Sequence, residues 1–196
     1  MRSVEFMTEQ QPYEVVERYP GFELRRYPAH VVAEVSVRGS FESAGNRAFS
    51  ALFGYITEQN RSARSIAMTA PVVQEVARPE KIAMTAPVVQ TETSTGEHVI
   101  AFVLPGSMTA ESAPVPTDPQ VRIRAVPERL AAVTRYSGRW AESAYRRHVV
   151  GLEAATTQAG YEPVGVARFA RFDPPYTPWF LRRNEVVQDV RRPDDA

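Results

Sequence analysis

A nine-residue stretch that occurs twice in tandem constrains the fold of this chain more than any other feature. Residues 66–74 read IAMTAPVVQ, and the same nine residues recur sixteen positions later at 82–90. Each copy is rich in β-branched residues, which favour strands, and contains a proline that cannot donate to a sheet ladder. We therefore predict two strands that bend or lose a partner at proline. Met68 and Met84 are either core fillers or parts of a soft pocket wall.

The composition excludes several classes of protein. Lys plus Arg and Asp plus Glu each number 23, so the formal net charge of zero offers no electrostatic footprint for nucleic acid or an anionic membrane. The chain has no cysteine, which removes disulfides, thiolate metal sites and covalent c-type haem attachment. No apolar run approaches the roughly 20 residues of a membrane span, and the N-terminus lacks a signal peptide. We expect a cytoplasmic protein that binds neither nucleic acid nor membranes.

The first half of the chain predicts a β-meander, a helix and a hairpin. Short strands are expected on both sides of the turn Pro20-Gly21, and alternating apolar residues extend a third strand over 30–37. After Gly39-Ser40, apolar residues at helical spacing predict an amphipathic helix from Phe41 to about Asn60. Residues 81–104 then form a hairpin, and the proline-rich stretch 105–120 is a surface loop between two halves.

The second half repeats the first at an offset of 99 residues. Pro127 corresponds to Pro28, and Gly138 corresponds to Gly39. We therefore predict two β-rich units, each with one helix, that bury a shared core. The predicted elements of the second unit are a helix over about 139–158 and closing strands over 163–172 and 177–187. The resulting boundaries are an optional extension at 1–12, a folded domain at 13–187 with halves at about 13–104 and 121–187, and a polar tail at 188–196.

The sequence contains no motif of a dedicated catalytic apparatus, and its imidazoles are His30, His98 and His148. His30 and His98 flank turns and are expected on the surface. His148 shares a helical face with Trp140 and Leu152, so it points towards the apolar interior. It is either a satisfied core histidine or a ligand.

The predicted helices carry aromatic faces. Phe41, Phe49 and Phe53 lie on the first helix, and Trp140 lies at the corresponding face of the second. They are either core residues or the lining of a groove between a helix and a curved sheet, where apolar ligands commonly bind. Basic side chains at the edges of these faces either meet the carboxylates of an amphipathic ligand or form an ordinary solvated surface: Arg47, Arg146 and Arg147.

Several motifs together resemble the SOUL or haem-binding protein family. They are AMTAPV at 67–72 and 83–88, AFVLP at 101–105 before a proline-rich loop, and DPP at 173–175 followed by RRNEV at 182–186. The resemblance implies an α+β fold, with a distorted antiparallel β-barrel of two pseudo-symmetric halves that each carry an amphipathic helix. It also implies reversible, non-covalent binding of haem or another tetrapyrrole in an apolar groove beside the first helix, in the role of a haem carrier or buffer.

Carried over by position, the groove-facing residues of the first helix are Asn46, Phe49 and Phe53, with Gly54 just beyond. The family places basic residues at the positions of Asn46 and Gly54, and here Arg47 is the adjacent cation. Met68, Met84 and Trp140 complete the expected ligand-binding set. If the iron has an axial protein ligand, we expect it to be His148, because neutral imidazole suits haem iron.

Two other classes of function remain open at this point. The same pseudo-repeated architecture resembles the drug-binding domains of some transcription regulators and related small hydrolases that act on hydrophobic compounds. Glu34 and Glu42 are the candidate acids for such an enzyme. The third class is a protein-interaction module.

Overall fold

The computed structural model describes residues 9–62, 79–93 and 95–193. The first copy of the repeated nonapeptide, with Met68, lies outside the described residues. Within these described residues, two helices and twelve strands follow one another: β1 (Glu9–Gln10), β2 (Glu14–Tyr19), β3 (Phe22–Tyr27), β4 (His30–Arg38), α1 (Phe41–Thr57), β5 (Asn60–Arg61), β6 (Thr85–Glu92), β7 (Glu97–Val103), β8 (Val115–Pro116), β9 (Arg122–Val126), β10 (Arg129–Tyr136), α2 (Glu142–Gln158), β11 (Glu162–Arg171) and β12 (Asn184–Arg191).

Ten strands form one large sheet in the order β2-β3-β10-β12-β11-β6-β7-β4-β9, with β1 added in parallel to β6. The fold is therefore α+β, with an antiparallel sheet and two helices. Within the described residues no ladder joins β2 to β9, so the sheet does not close into the distorted barrel that was expected. Both outer strands carry several charged side chains, EVVERY in β2 and RIRAV in β9, as is typical of edge strands that stay unpaired.

The second copy of the nonapeptide is a strand only from Thr85 onwards. Met84 precedes β6 and is 37% exposed. The register of β6 against β7 shifts between Thr85 and Val88, next to Pro87. This irregularity agrees with the prediction that the proline interrupts the ladder, because proline has no N–H to donate.

Helix α1 begins as expected and ends three residues early. The Oγ of Ser40 accepts a hydrogen bond from the Ser43 N–H at 3.3 Å, which caps the N-terminus. After Thr57, Glu58 has a positive φ of 150°. Asn60 lies just beyond the helix. Its side-chain amide donates to the carbonyls of Tyr55 and Glu80, at 2.6 and 2.7 Å, and holds the chain in this direction.

Helix α2 begins at Glu142, so Trp140 lies before the helix and not on it. No side-chain hydrogen bond from Ala141 caps this helix. Instead, the carboxylate of Glu42 in α1 accepts from the Glu142 N–H at 3.1 Å. The start of α2 therefore depends on a residue a hundred positions away, which local sequence patterns do not reveal.

Side chains alternate between the two faces of the sheet. The helix-covered face packs against α1 through Ile100 and Phe102, and against the α2 side through Phe169 and Val186. On the other face no helix of the described residues packs, and we call it the helix-free face. It carries small apolar residues at the intervening positions: Val32, Val89, Val99, Ala101, Val103, Val126, Ala131, Val133, Ala170 and Val187.

The strand order bears on the predicted internal repeat. In each half, a strand (β4 or β10) runs through a glycine turn towards a helix, and Gly39 and Gly138 have φ values of 148° and 147°. β3 and β4 belong to the first half, and β9 and β10 belong to the second. β3 pairs with β10, and β4 pairs with β9, so both of these ladders join strands from different halves. The superposition of the two halves about a twofold axis stays a prediction.

Residues 174–182 form turns, so the expected strand over 177–187 begins only at Asn184. Arg182 donates to the carbonyls of Thr177 and Pro175, at 2.8 and 2.6 Å, and closes the loop. β12 then continues to Arg191, beyond the start of the expected tail.

Candidate functional site

Phe49 and Phe53 form an exposed aromatic pair on α1. The other apolar residues on this stripe of the helix are buried, whereas Phe49 and Phe53 are 42% and 45% exposed. Their rings stack with centroids 5.5 Å apart and an interplanar angle of 15°. Phe49 also packs against Phe102, with centroids 5.8 Å apart. The pair is a flat apolar surface supported by the core beneath it.

The polar groups beside this pair are those expected from the sequence. Asn46 and Arg47 are both exposed. The Nη1 of Arg47 donates to the Arg38 carbonyl at 2.8 Å, which holds the guanidinium beside the start of the helix. A guanidinium has five N–H donors, so Arg47 can still bind a carboxylate. Gly54 is buried, and a side chain there would collide with the Gln59 amide.

Trp140 belongs to a different cluster. Its Nε1 donates to Asn184 Oδ1 at 2.9 Å, and the guanidinium groups of Arg182 and Arg171 lie 4.3 and 5.0 Å from its ring centroid. These contacts hold Trp140 between the start of α2 and the ends of β11 and β12. They do not bring it to the Phe49 and Phe53 pair.

His148 lies on α2 and stacks on Tyr136, with centroids 4.0 Å apart and planes 17° apart. Burial, and then the charge of Arg147, lower the pKa of His148 below its ordinary value. The imidazole is therefore neutral at pH 7, as a metal ligand must be. Its ring contact is with the α2-side core, whereas Phe49 and Phe53 flank the α1-side core.

The other two histidines differ from each other. His98 is 5% exposed, so its expected surface position is wrong. It lies on the same face of β7 as Ile100 and Phe102, and its ring meets Phe41 edge-on at 6.2 Å. His30 is partly buried at the helix-free face, where its Nδ1 lies 2.9 Å from the Pro28 carbonyl.

Sequence reasoning did not identify Arg171, a buried cation beside the first turn of α1. Its Nη2 donates to Gln90 Oε1, and its guanidinium lies over Phe169. Burial lowers its pKa to about 10, so the group stays charged at neutral pH. Among the residues that the structure describes, its Nε has no hydrogen-bond partner. The signal in the sequence was Gly45, because an added Cβ there would lie 2.6 Å from Arg171 Nη1.

The two candidate acids lie on different elements and have other partners. Glu34 lines the helix-free face and binds the Arg124 guanidinium at 2.8 Å. Glu42 caps α2, and the hydrogen bond from the Glu142 N–H lowers its pKa. In the described ranges, no three His, Cys, Asp or Glu side chains come together as a metal site. No helix in the described part of the chain is long and apolar enough to cross a membrane.

A cavity of about 80 Å³ lies against the helix-free face, and an open groove of about 770 Å³ shares several of its lining residues. Tyr27 of β3 and Val126 of β9 both line the cavity, although these strands lie near opposite ends of the sheet. The sheet therefore curls around this face without closing. We call the cavity of 80 Å³ the hollow.

Comparison of the sequence with family models gives a match to the family described as "SOUL heme-binding protein", over residues 8–80 and 74–189. The two matched segments overlap between the two copies of the nonapeptide. No curated protein matches the sequence significantly.

Comparison of the structure with solved structures shows the same overall fold at low sequence identity. The C-terminal domain of EcmrR matches with a TM-score of 0.62 and 11% identity, over 92% of this chain and 98% of that chain. A hydrolase from Listeria innocua matches with a TM-score of 0.56 and 11% identity, over 95% of each chain. EcmrR in a complex with DNA matches with a TM-score of 0.60 and 11% identity, over 87% of this chain and 57% of that chain.

Proposed function

Because the chain belongs to the SOUL heme-binding protein family, we propose that it binds haem or a related tetrapyrrole reversibly and without a covalent bond, beside α1, as a carrier or buffer. The observation that carries this proposal is the stacked pair of Phe49 and Phe53, which the core supports but does not cover. A cytoplasmic location and the absence of nucleic-acid partners stay predictions.

The chemistry of the pair fits a flat amphipathic ligand. A porphyrin ring is apolar over both faces and carries its propionates at one edge. Two aromatic rings that are each nearly half exposed can bury apolar surface against it, at about 25 cal/mol per Å² before the costs of association. Arg47 is the nearest cation on the same helix and can bind a propionate through its free N–H groups.

Axial ligation of the iron is not required for the binding that we propose at α1. Bound haem would supply an iron atom that accepts a neutral imidazole, and His148 is the histidine we expect to serve. Since the ring of His148, on α2, already stacks on Tyr136 at the end of β10, the apolar contact at α1 must support binding by itself. The proposal therefore predicts moderate affinity and tolerance of porphyrins without iron.

The test is a titration of haem into four proteins, followed by the Soret band. Wild type and His148→Ala should bind in a 1:1 ratio, with any loss of an axial bond visible as a spectral shift. Phe49→Ala/Phe53→Ala should bind at least tenfold more weakly, because each lost aromatic contact is worth about 1 kcal/mol or more. Trp179→Ala/Phe180→Ala removes another exposed aromatic pair, away from α1, and should bind as wild type does. Equal weakening in both double variants would refute the α1 site.

Of the alternative functions, effector binding has a specific observation in its favour, namely the hollow on the helix-free face. The hydrolase alternative relied on Glu34 and Glu42, and these residues bind Arg124 and the start of α2 respectively. The interaction-module alternative would use the exposed loop that carries Tyr176 and Phe180.

A further inference from the structure

The hollow on the helix-free face lies on the opposite side of the sheet from α1, so it is separate from the proposed tetrapyrrole site. Its wall consists of small aliphatic side chains on strands from both halves: Val32, Val89, Val99, Ala101, Val103, Val126, Ala170 and Val187. On the other face, the same strands carry Phe102 and Phe169. The small side chains leave space where the large ones fill it.

Part of the lining of the hollow is aromatic. Tyr13, Tyr27 and Phe172 line it, and the Tyr13 and Tyr27 rings lie 5.6 Å apart. Glu185 also lines the hollow and is fully buried. Its carboxylate binds Arg25 Nη1 at 2.9 Å and Arg183 Nη2 at 2.7 Å. Two guanidinium groups thus satisfy this acid, which leaves no unpaired negative charge to attract a cation.

Another part of the lining is positively charged, and Arg129 lies directly opposite Tyr27 in the ladder between β10 and β3. Arg124, Arg129 and Arg168 line both the hollow and the open groove, so they stand where the two meet. Arg129 and Arg168 both bind Asp189, at 2.7 and 2.6 Å between Nη1 and Oδ2. Two cations therefore share one carboxylate, and the side chain of Arg129 is 32% exposed.

The acids beside these arginines are paired or well exposed. Glu34 pairs with Arg124, whereas Glu128 and Glu14 share Arg26, at 3.8 and 4.0 Å, and all three of these side chains are at least half exposed, so water screens them. His30 also lines the hollow. Burial lowers its pKa, and the charges of Arg168, Arg129 and Arg124 lower it further. The positive potential that lowers this pKa also favours an anion over a cation.

We propose that the hollow binds small aromatic carboxylates, with the ring among the aliphatic side chains and the carboxylate at Arg129 and Arg168. The volume limits the ligand to a small ring, because 80 Å³ is less than the roughly 150 Å³ of an engineered cavity that binds benzene, so the ring would lie partly in the open groove that shares Val99 with the hollow. Apolar contact would orient the ring, and the spare guanidinium donors would select the charge. The site would take a different ligand from the α1 surface.

Three isosteric probes test the selectivity: 4-ethylbenzoate, neutral 4-ethylbenzamide and cationic 4-ethylbenzamidinium. Binding is followed by NMR through the methyl signals of valine and alanine. The benzoate should bind about tenfold more tightly than the benzamide, as expected for one charge-assisted hydrogen-bonded contact, and the benzamidinium should bind most weakly. The shifts that the benzoate causes should fall on methyl groups that line the hollow, such as those of Val99 and Ala101. Equal binding of the three probes, or shifts confined to α1, would overturn the proposal.

Variants distinguish benzoate binding in the hollow from non-specific binding at the protein surface. Val99→Phe should fill the hollow and abolish benzoate binding, whereas Val150→Phe places the same side chain on the exposed face of α2 and should leave it unchanged. Arg129→Gln should weaken benzoate binding about tenfold, while Arg146→Gln, which removes a surface arginine of α2, should not. Thermal unfolding of each variant checks that the fold is intact. Full benzoate affinity in folded Val99→Phe would overturn the site.

The same variants keep this proposal distinct from tetrapyrrole binding at α1. Haem affinity should be unchanged in Val99→Phe and reduced in Phe49→Ala/Phe53→Ala, and the benzoate should show the reverse pattern. Loss of haem binding in Val99→Phe would refute the α1 site.

Discussion

The two faces of the sheet use the same strands for different purposes. On β7, Ile100 and Phe102 point to the helix-covered face and are 1% exposed, while Ala101 and Val103 point to the helix-free face. The large side chains fill the space beneath α1. The small ones leave a hollow, and no helix of the described residues packs over it. The comparison teaches that one alternating strand can supply both a filled core and the wall of a cavity.

The largest expected effect distinguishes filled from hollow packing. Phe102→Ala should lower the free energy of unfolding by about 3–5 kcal/mol, because it leaves a cavity in a close-packed core. Val99→Ala, on the other face of the same strand, should cost about 1 kcal/mol or less, because its side chain already borders empty space. Urea denaturation measures both. Equal losses in the two variants would contradict the contrast between the faces.

The second prediction compares the buried arginines of the two faces. Arg25→Met should cost about 3 kcal/mol, since it removes one of the two cations that hold the buried Glu185 carboxylate. Arg171 on the helix-covered face bonds to the neutral Gln90 amide, so Arg171→Met should change the stability by no more than about 1 kcal/mol. A large loss with Arg171→Met would show that the cation itself organises the helix-covered core.

The third prediction concerns the two glycine turns before the helices. Alanine is strained at the positive φ of Gly39 and Gly138, at a cost of about 1–3 kcal/mol each. Gly39→Ala should be the more destabilising, because its Cβ would lie 3.0 Å from Ser43 Oγ, whereas a Cβ at Gly138 meets nothing within 4 Å. Thermal unfolding checks the order. A neutral effect at either position would argue against the same strand-to-helix turn in both halves.

The smallest expected effect is a dependence on pH. Burial and nearby arginines lower the pKa of His30 from its ordinary value of 6.5, so the unfolded chain takes up this proton at a higher pH than the folded protein. The free energy of unfolding should therefore fall as the pH drops through 6.5 towards the pKa of folded His30. His148 acts in the same direction on the helix-covered side. His30→Gln should reduce the slope between pH 7.5 and 5.5 in chemical denaturation, and an unchanged slope would contradict the assigned shift.

Local patterns predicted much of the architecture. Glycine and proline positions gave the turn at Pro20-Gly21, the strand from His30 and the start of α1 at Phe41, because these signals act over a few residues. Family membership was also predictable, since the DPP and RRNEV motifs and the repeated nonapeptide act as a set, and the family match confirms it.

Features that depend on distant contacts were missed. The openness of the sheet depends on whether two edge strands meet, and α2 begins where Glu42 can reach the Glu142 N–H. Among the expected site residues, Asn46, Arg47, Phe49 and Phe53 share one helix, so helical spacing was sufficient to group them. Trp140 and His148 depend on how the halves pack, and they belong to other clusters.

The central claim is that a tetrapyrrole binds beside α1 and not on the helix-free face. Amide NMR spectra of the protein with haem, with zinc protoporphyrin as the diamagnetic control, locate the iron directly through paramagnetic broadening. We expect the signals of Asn46, Phe49 and Phe53 to broaden most, while those of Val99 and Ala101 stay sharp. Broadening centred on Val99 and Ala101, with α1 unaffected, would contradict it.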